Sequence, residues 1–324
     1  MKRRYRATGR KELLLQWCCG FFIILVRMRS SIFLSLFFAF ACNAQQHRIV
    51  DTSPTVSPKI NEVRLISDRF RFTEGPVADK QGRIFFTDQP NDQIWIYDPQ
   101  ADSVWLFLEG TGRANGLDID AEGHLIACAD EQGQLLQISP DGEKRVLLNQ
   151  IDGKRMNGPN DLWIDDKGGI YFTDPFYKRS YWAHQDQPVE TEGIYYLPPG
   201  EGNAVAVDTA LKKSNGIIGT PDNQALYVAD IGDNKTYRYT INADGSLSNK
   251  TLFVQQGSDG MTLDKKGNLY LTGNGITIYN PHGKKIGEIA VPAPWTANGA
   301  FAGRNSNLLF ITAGKGIYIV ELQF

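Results

Sequence analysis

From about Asn61 to Phe324 the apolar residues come in short runs broken by glycine-bearing turns, and no stretch keeps a helical spacing of three and four. The runs RIFFTD, HLIACAD, GIYFTD, ALYVAD, NLYLTG and NLLFIT are rich in Ile, Leu, Phe, Tyr and Val, which predicts strands buried on one or both faces. Each run is preceded by another short apolar strand and a tight turn, giving six related units: EGPVADKQGRIFFTD, NGLDIDAEGHLIACAD, NDLWIDDKGGIYFTD, NGIIGTPDNQALYVAD, DGMTLDKKGNLYLTG and NGAFAGRNSNLLFITA. A polar residue opens every unit, at Glu74, Asn115, Asn160, Asn215, Asp259 and Asn298. The turn, at Gly82, Gly123, Gly168, Asn223, Gly267 and Ser306, follows eight residues later each time.

Successive openers are 41, 45, 55, 44 and 39 residues apart, the length of one four-stranded propeller blade. The chain is therefore expected to be all-β, a six-bladed β-propeller with four-stranded blades over residues 60–324. A sandwich would not explain the constant offset. A propeller must close, so Asn61 to Phe72 is expected to supply the outer strand of the blade begun by Leu308 to Leu322, hiding both open edges.

Before the repeat the pattern changes. Residues 1 to 42 hold eight of the 34 basic residues and one of the 36 acidic ones, together with two apolar runs, Leu13 to Val26 and Ile32 to Ala41. The second run is too short to span a bilayer but suits a signal peptide, with Met28 as the expected true start. AFAC, ending at Cys42, resembles a bacterial lipobox in which Ala39 replaces the usual Leu, and cleavage after Ala44 by an ordinary signal peptidase is the alternative. The expected organisation is a signal peptide over 1–44, of lipoprotein type or plainly cleaved, a polar tether over 45–59, and the propeller. The expected location is outside the cytoplasm, periplasmic or membrane-anchored, alternatively secreted, with a lipid on Cys42 as the one membrane contact. Beyond the first 42 residues 26 basic and 35 acidic side chains remain, a net of −9, which argues against a nucleic-acid partner. Only Cys128 lies in the repeat region, so no disulfide framework supports it.

In a propeller the first strand of each blade lines the central channel, so the six openers converge on one axis. Asn115-Gly116, Asn215-Gly216, Asp259-Gly260 and Asn298-Gly299 would each read singly as a tight turn. Six oxygen-bearing side chains at one repeat position point instead to a ligand site. Carboxylates and carboxamides together suit a hard divalent cation, Ca²⁺ first, with Mg²⁺, Mn²⁺ or Zn²⁺ as alternatives. Zinc by its usual ligands is disfavoured, because the four histidines, at 47, 124, 184 and 282, form no metal pair by spacing. No GxSxG elbow, phosphate loop or HExxH motif is present.

FTEGPV (72–77), ANGLDID (114–120), RMNGPNDLWID followed by GIYFTDP, SNGI with LYVADIGD, SDGMTLD and LLFITAGKGIYIV resemble, in order, the gluconolactonase branch of the SMP-30/gluconolactonase/regucalcin-like family of six-bladed propellers. The resemblance implies a divalent metal held at the axis by Glu74, Asn160, Asn215 and Asp259, four of the six openers. It implies hydrolysis of a sugar lactone or similar lactone, the metal acting as Lewis acid with an activated water. Asp259 is the first candidate for the carboxylate that accepts the water's proton, with Asp161 and Asp174 behind it. Asn115, Asn298 and Arg155 are the candidate substrate contacts. The chain departs from the family at CADE (128–131), where bacterial gluconolactonases often read CEHG, and at Gly158, where regucalcin has Arg. Trp295 and Phe176 lie on segments that could form the mouth of the pocket, and the longest insertion, Asp174 to Gly193, is a lid or a surface excursion. Two other readings share these residues: a metal-dependent phosphoesterase-type propeller and a non-catalytic exported scaffold.

Overall fold

The computed structural model describes residues 57–324 apart from residues 184, 201, 304 and 305, so the signal segment, Met28, Cys42, most of the tether and His184 lie outside the described residues. The described chain is an all-β propeller of six antiparallel blades, with a two-stranded hairpin, Gln150–Ile151 and Lys154–Arg155, between blades 2 and 3 and two short 3₁₀ turns besides. In blade 1 the strands run outward in sequence order, Thr73–Ala78, Ile84–Asp88, Gln93–Asp98 and Ser103–Glu109. The other innermost strands are Ala114–Ile119, Leu162–Ile164, Ser214–Gly219, Met261–Leu263 and Thr296–Phe301. Each touches the innermost strand of the next blade, and the last touches the first, which closes the ring.

Closure is made as the sequence predicts. Thr296–Phe301, Leu308–Ala313 and Gly316–Gln323 form the inner three strands of blade 6, and Arg64–Ser67 adds the outer one, with Leu65 opposite Tyr318. Lys59–Ile60 continues along the same strand, with Lys59 opposite Gln323. Both ends of the propeller are thus bonded to each other and no blade keeps an unpaired edge at the seam.

The apolar runs are continuous because each sheet is packed on both faces. Phe85 joins Leu117, Leu125 and Leu136 in the core between blades 1 and 2, while its neighbour Phe86 joins Phe310 and Ile317 between blades 1 and 6. Ile84–Asp88 is accordingly buried at every position.

The Asn-Gly and Asp-Gly pairs are not the turns. The hairpin turns fall on the predicted later positions, with positive φ at Gly82, Gly123, Gly168, Asn223 and Gly267. The opener pairs lie on or just before the innermost strands, where several ladders carry a bulge, as between Glu74 and Val77 or Ser214 and Ile217. A bulge re-aims the side chain beside it. The glycine that follows serves close approach: a Cβ on Gly216 would meet the Asp259 carbonyl oxygen at 2.4 Å, and one on Gly75, at φ +45°, the Asn115 carbonyl oxygen at 1.9 Å. Without side chains there, neighbouring strands touch, and Gly116 N–H donates to Asn160 O at 2.8 Å across the blade boundary.

Candidate functional site

Five of the six openers, Glu74, Asn115, Asn160, Asn215 and Asn298, are at most 6% exposed, and Asp259 is partly buried. Asn215 and Asp259, from adjacent blades, are in direct contact: Asn215 Nδ2 donates to Asp259 Oδ1 at 2.9 Å and to the Tyr177 hydroxyl at 2.6 Å. Using both donor hydrogens this way turns the carbonyl oxygen of Asn215 away from these partners. Trp295 Nε1 donates to Asp259 Oδ2 at 2.6 Å. Glu74 accepts from the N–H of Gly75 at 2.9 Å. Asn298 Oδ1 accepts from Gly299 N–H at 2.8 Å, while Asn115 Oδ1 is buried with no hydrogen-bond partner.

Burial, and then the nearby Asp259 charge, push the Glu74 carboxyl well above the usual carboxylate range. Asp259 is also raised, first by burial, against the bonds from Trp295 and Asn215 that favour its ionised form. Two carboxylates crowded into a buried ring, beside a carboxamide oxygen with nothing to accept from, form an all-oxygen donor set short of positive charge. Those residues fit a hard divalent cation, which would hold both carboxylates ionised.

Asp161, the other candidate base, sits one layer deeper. Its oxygens accept from Leu162 N–H at 3.0 Å and more weakly from Ile217 N–H at 3.4 Å, and burial pushes its pKa to about 7. Arg155 is occupied by the neighbouring blade's loop, donating to the carbonyls of Met156 at 3.0 Å and Glu131 at 2.8 Å. Asp174 is fully buried and accepts from Asn157 and Gly158 N–H, both at 2.8 Å. It is a loop clamp. His124 contacts Asp120 at 2.9 Å and groups with Glu122, a cluster that lies at the blade 2 hairpin turn, not among the openers.

Two recurring features of the sequence support the site unannounced. A buried Thr on the second strand braces the backbone at or beside the openers: Thr87 donates to Asn115 O at 3.1 Å, Thr272 Oγ1 lies 2.8 Å from both Gly260 O and Ala297 O, donating to one of them, and Thr312 donates to Asn298 O at 3.2 Å. The aspartate that follows or closes the same strand fastens a loop, as Asp174 does. The recurring Thr-Asp of FFTD (85–88) and YFTD (171–174) is the sequence signal of both.

The insertion 174–193 lies against the ring. Besides Tyr177 on Asn215, the Arg179 side chain stacks over the Tyr177 ring at 4.7 Å, and its charge favours ionisation of both Glu74 and Asp259. A cavity of about 1180 Å³ is at the other end of the channel, lined by Asp118, Asp161, Lys167, Asp264 and Asn298 among others. The Glu74, Asn160, Asn215 and Asp259 side chains lie outside it, so the donor set, not the larger volume, marks the candidate site.

Residues 72–315 match the model of the SMP-30/Gluconolactonase/LRE-like region. The chain belongs to this family. A gluconolactonase of Zymomonas mobilis is 27% identical over 291 residues, 81% of this chain and 81% of that one. The diisopropyl-fluorophosphatase of Loligo vulgaris is 24% identical over 294 residues, 83% of this chain and 90% of that one. Among solved structures, a gluconolactonase of Xanthomonas campestris superposes with a TM-score of 0.74 at 25% identity, covering 82% of this chain and 95% of that chain. Membership in the SMP-30/gluconolactonase family accords with the six-bladed ring.

Proposed function

We propose that the protein is a divalent-metal-dependent lactonase that opens a sugar lactone or similar lactone. The observation that carries the reading is the contact of Asn215 with Asp259 at 2.9 Å, with the buried Glu74 carboxyl near enough to feel the Asp259 charge, in a family whose curated relatives include gluconolactonases. Glu74, Asn160, Asn215 and Asp259 would hold the cation, Ca²⁺ first. When bound, such an ion supplies Lewis acidity to the ring ester carbonyl and lowers the pKa of water beside it.

The chain's own residues do the rest. Asp259 is the proton acceptor, and Trp295 fixes its orientation through Oδ2. Asn115 Oδ1, with no partner in the protein, is an acceptor for a substrate hydroxyl. Asn298, which borders the cavity at the far end of the channel, is the other candidate substrate contact. Asp161 is the reserve base one layer below, its pKa near neutrality as base catalysis requires. Export, with a lipid on Cys42 or simple cleavage, belongs to the same reading and rests on the charge and apolar pattern of residues 1–42.

The resemblance to diisopropyl-fluorophosphatase keeps phosphotriester hydrolysis as the second reading. The test is acid release in a pH-stat from D-glucono-δ-lactone, pentonolactones and diisopropyl fluorophosphate, using the chain from Gln45 onward. Lactone turnover above the phosphotriester rate supports the proposal. Turnover of the phosphotriester alone favours the second reading, and turnover of none leaves a binding scaffold.

A further inference from the structure

Four blades carry an aspartate at the end of the second strand, Asp88, Asp130, Asp174 and Asp230. Three fasten the loop that leads into their own blade's innermost strand. Asp88 accepts from Arg71 and Phe72 N–H at about 3.1 Å, Asp174 from Asn157 and Gly158 at 2.8 Å, and Asp230 from Lys212 at 2.9 Å and Lys213 at 3.0 Å. In blade 2 another residue does this work: Asp92 Oδ1 accepts from Thr111 N–H at 2.8 Å and Arg113 N–H at 2.6 Å.

Asp130 is thereby released for a different contact. It is 3% exposed, and its carboxylate accepts from the Tyr181 hydroxyl at 3.0 and 2.9 Å, from Gln89 Nε2 at 3.0 Å and from Trp182 Nε1 at 3.5 Å, with Arg179 Nε 3.4 Å away. Three of these four partners belong to the insertion 174–193. Two contacts of the insertion lead to the axial site: Tyr177 meets Asn215, and Arg179 covers Tyr177. Trp182 fills the space over Gly158, where a Cβ would come within 2.6 Å of its ring. Asp174 and Asn157 hold the two ends of the insertion, Asp174 accepting from Gly158 N–H and Asn157 bonding Thr191 O and Val189 N–H, while Asp130 is the buried charge that gathers its middle, residues 179–182.

We infer that Asp130 is a positioning residue that straps 174–193 across the axial site, so that Tyr177 and Arg179 form a wall of the substrate pocket and determine its specificity. The inference rests on the lactonase reading for the nature of the substrate. Tyr177 and Arg179 offer a hydroxyl and guanidinium N–H donors, which match the hydroxyls and ring carbonyl of a polyhydroxylated lactone.

The experiment combines limited trypsin digestion with lactone kinetics on Asp130→Asn, Asp130→Ala and, as a control, Glu131→Gln, whose wild-type carboxylate pairs with Arg113 at 3.3 Å. Lys178, exposed in the strap, is the tryptic site. Cleavage of a folded chain reports local opening. Both Asp130 variants are expected to be cut between Asp174 and Gly193 roughly tenfold faster than wild type, and Glu131→Gln no faster. The KM for D-glucono-δ-lactone should rise about tenfold with kcat nearly unchanged, as expected when a binding wall loosens. Should Asp130→Ala fail to fold, isosteric Asp130→Asn and Tyr181→Phe carry the test. Unchanged cleavage overturns the strap, and faster cleavage with unmoved KM and kcat overturns the pocket wall. If the wild type turns over no lactone, the lactonase reading fails on its own and digestion alone decides whether Asp130 holds the strap.

Discussion

Glu74 and Asp259 are an arrangement that no ordinary core would keep, two carboxylates drawn together where water cannot reach them freely. Alone they favour protonation, and with a cation between them they favour charge. Replacing either ligand type should therefore weaken the ion and not the fold. Glu74→Gln and Asn160→Ala are each expected to lower Ca²⁺ affinity by about 100-fold in calorimetric titration, since each removes a direct donor. Unchanged affinity in both would place the ion elsewhere. Asp118 shows the opposite case, a half-buried carboxylate at the edge of the far cavity supported by the Ile119 and Ile164 N–H groups at 2.8 and 2.9 Å. Burial raises its pKa from 3.8 to about 6. Between those values the folded state binds a proton that the unfolded state has lost, so this group's contribution to stability falls as pH rises through that window. Asp118→Asn cannot titrate. Its stability relative to wild type should shift in the variant's favour by on the order of 3 kcal/mol between pH 4 and pH 7.5, read from urea unfolding at each pH. A pH-independent difference would contradict the assignment.

At the scale of strands and loops, the openers were legible because six positions repeat with one offset, which side-chain chemistry alone never reveals. The dipeptides themselves misled: Asn215-Gly216 has the composition of a hairpin turn, yet Gly216 is there so that two innermost strands can touch. A residue pair carries no record of whether glycine serves backbone conformation or a neighbour's approach; the eight-residue offset to the true turn does. Gly216→Ala should accordingly cost about 3 kcal/mol, because its Cβ meets backbone that cannot move aside, and should lower the melting temperature by several degrees. A neutral effect would mean that the ring relaxes at small cost. The strap was legible only as an insertion with aromatic and basic residues. Its anchor was not, since Asp130 and Tyr181 are 51 residues apart and nothing local couples them.

The propeller is a ring, and a ring depends on its seam. Blade 6 takes its outer strand, Arg64–Ser67, from the beginning of the propeller, as the requirement to hide both edges predicted. Truncating the chain to begin at Asp68 should expose the Gly316–Gln323 edge, and dimers or larger aggregates should appear in size-exclusion chromatography with a lowered melting temperature. A monomer of unchanged stability would show that the seam is dispensable. The repeat length announced the six blades and the family motifs the axial donors, whereas the wide cavity at the far end of the channel had no sequence signal, because its size follows from how the blades tilt and which side chains are short.

In the proposed reading Glu74, Asn160, Asn215 and Asp259 would hold one cation, and lactone opening would depend on its presence. The decisive measurement is the initial rate of acid release from D-glucono-δ-lactone against free Ca²⁺, in wild type and Asn160→Ala, after chelator treatment. The account predicts a saturable Ca²⁺ dependence in the wild type and loss of the activity in Asn160→Ala at the same ion concentrations. Equal turnover by the chelated wild type and by Asn160→Ala would contradict it.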